Sequence, residues 1–391
     1  MRDEGIENLL TRHRLPDPVY VTRPTMPELS SYHSHLEEIW RSRWLTNDGR
    51  FHSEFEDKLR QYLHVEHINL FVNGTIALLV ALQALDIDGG EVLTTPFTFP
   101  ATIHVLHWNR ITPVFCDIDA DTFNIDPTGL ERRITPDTKA VLAVHVYGIP
   151  CDVEAIQSIA DRHGLHVIYD AAHAFGVNVG DRSIVKYGDI SALSFHATKL
   201  FTTIEGGALV SGTERERERI RFLKNFGISD EEHVIGPGIN GKMNEFQAAF
   251  GLLELELVDQ EIENRRRLTQ LYRRHLEGIK GLKYPNDVPG VRHNYGFFPV
   301  LVEPGAFGTD RSRLSDLLRL CNVFPRKYFF PLCSRYPCYS SLPSASPGNL
   351  PTATMVADRV LCLPLYGDLE ESVVKTICGI IETIHTETTK R

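Results

Sequence analysis

From Ile68 onward the chain alternates between two rhythms. Short runs that are apolar at consecutive positions are separated by longer stretches with apolar residues at helical spacing. The short runs are Ile68–Val72, Glu91–Thr95, Thr112–Asp117, Ala140–Val146, His166–Asp170, Ile190–Phe195 and Ala208–Val210. Helical patterns open between them at Thr75, Pro100 and Asp152. A strand with no polar face is buried on both sides, and strands joined by helical crossovers run parallel. The pattern therefore predicts an α/β domain on a mostly parallel central sheet. Ligands in such sheets bind beyond the carboxyl ends of the strands. Asn73-Gly74-Thr75, Phe97-Thr98-Phe99, His145-Val146-Tyr147-Gly148, Asp170 and Lys199 all fall there and can converge on one crevice.

The flanks read differently. Residues 1–30 are broken by Pro16, Pro18, Pro24 and Pro27 and read as an extended arm. Helices are predicted over 31–45, with Leu36, Ile39, Trp40 and Trp44 on one face, and over 53–63, with Phe55, Leu59 and Leu63. A long helical stripe from Met243 to Leu276 leads into a smaller α+β portion that includes a proline-rich, aromatic loop from Pro325 to Pro347. Three units follow: an N-terminal arm and helix over 1–45, a large α/β domain over 46–250, and a linking helix with a small C-terminal domain over 251–391. The charged run Glu214 to Arg219 reads as a solvated helix face.

Composition narrows the function. The 391 residues carry a formal net charge of -10 with both signs interleaved, which disfavours nucleic acid as a partner. Met1 to Gly5 carries charges of both signs, with no signal- or transit-peptide pattern behind it. The longest apolar run, Ile76 to Leu85, is short of the ~20 residues a membrane span needs. The seven cysteines are scattered, with no Cys-x-x-Cys pair. Buried, reduced thiols in a cytoplasmic protein are expected, and no metal site.

The chemistry gathers between His166 and Gly207. Asp170 ends an apolar strand, and Lys199 sits in a loop rich in hydroxyl and small residues. A carboxylate can hold a protonated pyridine nitrogen, and a desolvated lysine can bond reversibly to a carbonyl and shuttle protons. Gly74 and Thr75, at a strand-to-helix turn, offer free N–H groups and a hydroxyl to a phosphate. Taken singly, each has a plainer reading. Thr75 or Asp170 could cap a helix, Lys199 could lie on the surface, His173 could be packing, and Asn240 could cap the long helix.

The ordered set resembles the DegT/DnrJ/EryC1/StrS family of sugar aminotransferases, which are fold type I enzymes dependent on pyridoxal phosphate. The matching stretches are Trp44-Leu45-Thr46, Asn73-Gly74-Thr75, Thr95 to Phe99, Pro113 to Asp119, Val144 to Gly148, Asp170 to Ala174, Ser194 to Lys199 and Glu205-Gly206-Gly207. A weaker match continues through Leu361-Cys362-Leu363-Pro364-Leu365. The resemblance implies that Lys199 holds the cofactor covalently and Asp170 pairs with its ring nitrogen. His173, at a position most often Gln in relatives, would pack on or near the ring, and Phe99 would stack on the other face. Gly74, Thr75, the Ile76 backbone and Ser194 would take the phosphate. Asn240 would reach the partner subunit's cofactor, which implies a homodimer with shared active sites.

Two departures bear on the substrate mouth: Asn240 to Glu245 differs from the family's usual run, and Asp48 is an extra residue after Trp44. Within the family the chain is most similar to enzymes that form dTDP-4-amino-4,6-dideoxyglucose, through Pro237 to Glu245 and Val323 to Leu332. The implied substrates are glutamate as amino donor and a nucleotide-linked keto sugar. Lys242, Arg326 and Lys327 are the candidates for its diphosphate. Amination at C3, a dehydratase of the same fold and a non-enzymatic regulator are the rivals. Lys199 argues against the dehydratase, in which His replaces the lysine, and Lys199 with Asp170 argues against the regulator.

Overall fold

The computed structural model describes residues 9–390. Seven strands form the central sheet: β1 (Ile68–Phe71), β2 (Glu91–Thr94), β3 (Thr112–Phe115), β4 (Thr138–Val144), β5 (His166–Asp170), β6 (Ile190–Ser194) and β7 (Gly207–Ser211). Their spatial order is β1-β7-β6-β5-β4-β2-β3, and only β7 runs antiparallel to its neighbours. The cause lies in the connections. Helical crossovers return the chain to the same end of the sheet for most strands. β6 and β7 instead lie side by side and are joined by residues 195–206, which do not cross over.

Alternate residues of each strand enter opposite cores, as the two-residue strand period requires. Val141, Ala143, Val167, Tyr169, Ala208 and Val210 face one core with helices α1 (Leu29–Ser42), α2 (Arg50–Leu63), α5 (Val153–His163) and the first part of α7 (Glu245–Leu276). Ala140, Leu142, Ile168 and Leu209 face the other, covered by α3 (Gly74–Ala84), α4 (Pro100–Trp108) and α6 (Glu214–Leu223). Burial on both sides explains why these strands read as unbroken apolar runs.

α7 serves two cores. Ala248 to Ile262 pack in the first, whereas Leu268, Leu271, Tyr272 and Leu276 belong to a C-terminal core. There a three-stranded antiparallel sheet, β8 (Leu282–Lys283), β9 (Phe298–Val302) and β10 (Val360–Leu363), packs with α8 (Arg311–Leu320) and α9 (Glu371–Thr389). Arg265 on α7 is buried. It pairs with Glu261 and donates to the Gly296 and Leu365 carbonyls, each at 3.2 Å, tying the helix to that unit.

Several local expectations shift. The arm is not simply extended: within 9–30 it makes a short 3-10 turn and a strand, Val19–Tyr20, paired parallel with Val323–Phe324, and Leu10 is buried in the C-terminal core. Residues 1–8 of that arm lie outside the described residues. α3 begins at Gly74, capped by Asn73, whose side-chain oxygen accepts the Ile76 N–H at 2.9 Å; Thr75 does not cap it. The long helix is capped by Asn244 with Gln247 in a reciprocal capping box, not by Asn240. Residues 171–176, which carry His173, form successive turns rather than a helix. The 325–347 loop contains the short 3-10 turns Cys333–Arg335 and Pro343–Ala345.

Candidate active site

The carboxyl ends of β1, β5 and β6 and the start of β7 lie at one edge of the sheet. A cavity of about 420 Å³ opens there. It is lined by Gly74, Thr75, Phe99, Asp170, His173, Ser194 and Lys199 among others, so seven of the residues singled out in the sequence meet in one space.

Asp170 ends β5 at the bottom of this space and is 5% exposed. Its Oδ2 accepts from Thr102 Oγ1 at 2.8 Å, and its Oδ1 accepts from the Ala172 N–H at 3.0 Å. Burial pushes its pKa up, while those two hydrogen bonds and the Lys199 charge pull it back. A buried carboxylate of this kind gains from a cationic partner.

Lys199 is held by a tightly laced loop. Ala197 N–H donates to the Ile204 carbonyl at 2.9 Å, Thr203 N–H to the Phe195 carbonyl at 2.9 Å, and Lys199 N–H to the His196 carbonyl at 2.8 Å. Phe195 and Phe201 anchor the loop in an aromatic cluster with Phe175, whose ring stacks on Phe201 at 4.3 Å. Burial lowers the Lys199 pKa to about 8, opposed by the Asp170 charge. Such an amine exists in both protonation states near neutrality, as a nucleophile and proton carrier must.

The third part is the start of α3. Gly74 and Gly207 are both required by close approach. A Cβ on Gly74 would stand 2.8 Å from Ser194 Cβ, and one on Gly207 would stand 2.7 Å from the Gly74 nitrogen. The helix start thereby closes onto the strand ends, with exposed Thr75 and half-buried Ser194 on the cavity. Ile76 is not on the cavity wall, and its N–H is taken by the Asn73 cap.

His173 and Phe99 line the same space. His173 is 8% exposed, its Nδ1 accepts the Tyr147 N–H at 3.2 Å, and burial, then the Lys199 charge, depress its pKa well below the ordinary histidine value. It is a neutral ring at physiological pH. Phe99 is 55% exposed at the cavity.

The other candidates lie elsewhere. Asn240 is exposed and off the cavity. Lys242 bonds Asn225 Oδ1 at 2.6 Å and lies over the Phe226 ring, also off the cavity. Arg326 and Lys327 line an adjoining groove of about 320 Å³, which shares Thr98, Phe99, Tyr328 and Phe329 with the cavity. Thr102 and Phe297 carry no sequence signal that marks them for the site. Tyr328, Phe329, His196 and Glu205 stand in the sequence only as members of matching stretches; all four line the cavity, with His196 Nε2 3.6 Å from Glu205 Oε1. Among the described residues no His, Cys, Asp or Glu cluster could hold a metal, no helix is long and apolar enough to cross a membrane, and all seven cysteines are free.

Residues 30–382 match the DegT/DnrJ/EryC1/StrS aminotransferase family. The chain belongs to that family. A dTDP-4-amino-4,6-dideoxy-D-glucose transaminase of Escherichia coli is 49% identical over 363 residues, 92% of this chain and 97% of the relative. A transaminase of the same name from Shigella dysenteriae is 44% identical over 94% of this chain and 99% of its own. Among solved structures, DesI in the presence of its TDP-sugar product superposes with a TM-score of 0.90 at 33% identity, covering 96% of this chain and 94% of that one.

As a family member the protein is a pyridoxal-phosphate-dependent aminotransferase. The residues present fit that cofactor. A buried carboxylate with an elevated pKa suits a ring nitrogen that carries a proton. A lysine of lowered pKa suits its aldehyde. The helix start at Gly74 suits its phosphate, and the flat walls suit its ring.

Proposed function

We propose that the protein moves the amino group of glutamate to C4 of dTDP-4-keto-6-deoxyglucose, giving dTDP-4-amino-4,6-dideoxyglucose. The observation that carries this reading is the 49% identity to the Escherichia coli transaminase along almost the whole of both chains. DesI, with its TDP-sugar product, supports the nucleotide-sugar class.

Pyridoxal phosphate, when bound, supplies an electron sink and a carrier for the amino group. Asp170 holds the ring nitrogen protonated, and Thr102 and the Ala172 N–H keep that carboxylate charged and aimed. Thr75, Ser194 and the amides at the start of α3 take the phosphate. Phe99 and His173, which line the cavity, would be walls for the ring. Lys199 Nζ takes the proton from the α-carbon of the amino donor, then returns one at the sugar carbon that had been the ketone.

The sugar's diphosphate is assigned to the groove beside the cavity. Three cationic side chains, Arg319, Arg326 and Lys327, line that groove. Asn240 and Lys242 are assigned to the second site of a homodimer. Phe226, Val234 and Ile235, between 49% and 68% exposed, give this region an apolar surface suited to a second copy. Free cysteines and a nucleotide-sugar substrate fit a cytoplasmic enzyme.

The test is product identification. Incubation with dTDP-4-keto-6-deoxyglucose and L-glutamate is expected to give a dTDP-sugar with one amine, placed at C4 by NMR. An amine at C3, or no aminated sugar, would contradict the reading.

A further inference from the structure

Asn294 lies far from Asp170 and Lys199 in sequence, on the segment that enters β9. It is fully buried, and it uses both amide hydrogens and its oxygen. Its Nδ2 donates to the His173 carbonyl at 2.8 Å and to the Phe175 carbonyl at 2.9 Å, while its Oδ1 accepts the Gly296 N–H at 3.1 Å. The turn that carries His173 is therefore clasped by one side chain from another part of the chain.

The other end of His173 is held as well. The Tyr147 N–H donates to Nδ1, so the neutral ring carries its proton on Nε2. Tyr147 has φ 57, a left-handed value that favours glycine, and its hydroxyl donates to the Tyr328 carbonyl. Gly148, with φ 83, completes the lock: a Cβ there would stand 2.7 Å from Asn294 Oδ1 and 2.8 Å from the His173 carbonyl oxygen. Phe297, three residues beyond Asn294, packs on the His173 ring at 4.6 Å and lines the cavity. Arg265 fixes the Gly296 carbonyl between them.

We infer that Asn294 is a positioning residue of the active site: it sets the orientation of His173, and through it the seating of the cofactor ring, from the segment leading into the C-terminal unit. The inference rests on the aminotransferase assignment and adds a residue that touches neither cofactor nor substrate. Without its amide, two buried carbonyls lose their donors and the 173–175 turn is free to relax. A cofactor wall that loosens by a fraction of an ångström loses catalytic alignment before it loses the fold.

The experiment compares wild type, Asn294→Ala and a control, Val300→Ala, each loaded with pyridoxal phosphate. Val300 is fully buried in the C-terminal unit and lines no part of the cavity. Visible circular dichroism of the bound cofactor reports how the ring sits, and a single turnover with L-glutamate reports the chemistry. Asn294→Ala is expected to change the dichroic amplitude by about twofold or more and to slow the single turnover by about tenfold. Val300→Ala is expected to lower the melting temperature and leave both readouts alone. If Asn294→Ala only lowers the melting temperature, as the control does, the inference is overturned. If Asn294→Ala yields no folded protein, Asn294→Ser, which keeps one donor, is expected to show an intermediate shift, and a wild-type spectrum from it also overturns the inference. A wild type with no visible cofactor band would instead overturn the aminotransferase assignment itself.

Discussion

Thr102 Oγ1 donates to Asp170 Oδ2 across 2.8 Å, joining the first turns of α4 to the end of β5. The two residues are 68 positions apart, and no local motif links them. The bond offsets part of the burial that pushes the Asp170 pKa up. It also fixes the carboxylate, since Ala172 N–H holds the other oxygen.

Thr102→Val keeps the shape and removes the donor. A hydrogen bond to a buried charged group contributes about 1.5–3 kcal/mol. Its loss moves the Asp170 pKa further up, so less carboxylate is present at a given pH. The expected outcome is a folded protein whose dissociation constant for pyridoxal phosphate rises by about tenfold, measured by cofactor titration.

Gly207→Ala attacks the phosphate end. The new methyl would stand 2.7–2.8 Å from backbone atoms of Asn73 and Gly74, which cannot swing away as a side-chain tip can. Strain of about 1–3 kcal/mol is expected, with the start of α3 pushed off the sheet edge. Dialysis should strip cofactor from this variant faster than from wild type.

The lowered Lys199 pKa makes a pH prediction for cofactor-free protein. Its folded pKa of about 8 lies below the ordinary value of 10.5, so the unfolded chain binds the extra proton between them. The cost of burying the charged form is complete below pH 8 and fades as pH climbs from 8 to 10.5. Lys199→Met should therefore melt higher than wild type at pH 7, and the gap should close by pH 10.5.

Arg265→Met tests the tie between α7 and the C-terminal unit. It leaves the buried Glu261 carboxylate with only the Gly367 N–H, and removes the donors to the Gly296 and Leu365 carbonyls. A destabilisation of about 3–5 kcal/mol is expected, read in a denaturant melt. Adding Glu261→Gln should restore part of it.

The sheet was legible because burial on both faces leaves strands with no polar rhythm, and the cavity was legible where its residues sit at strand ends: Asp170, Ser194 and Lys199. Capping was less legible. Asn73 and Thr75 are both good caps by residue type, and only the backbone decides between them. Thr102, Asn294 and Phe297 were not legible, because each reaches the site from an element remote in sequence and carries no motif of its own; Tyr328 and Phe329 stood in a matching stretch, but nothing in it pointed them at the cavity. Arg326 and Lys327, read as diphosphate candidates from their motif, line the groove beside the cavity. Lys242 turns toward Asn225 instead.

The central claim is that Lys199 and Asp170 work a bound pyridoxal phosphate on behalf of a keto sugar. It is tested most directly by the visible spectrum of the purified, cofactor-loaded protein. The wild-type band is expected to disappear on addition of L-glutamate alone and to return when dTDP-4-keto-6-deoxyglucose follows, with neither change in Lys199→Ala. A wild-type protein that shows no band, or a band that glutamate leaves untouched, would contradict it.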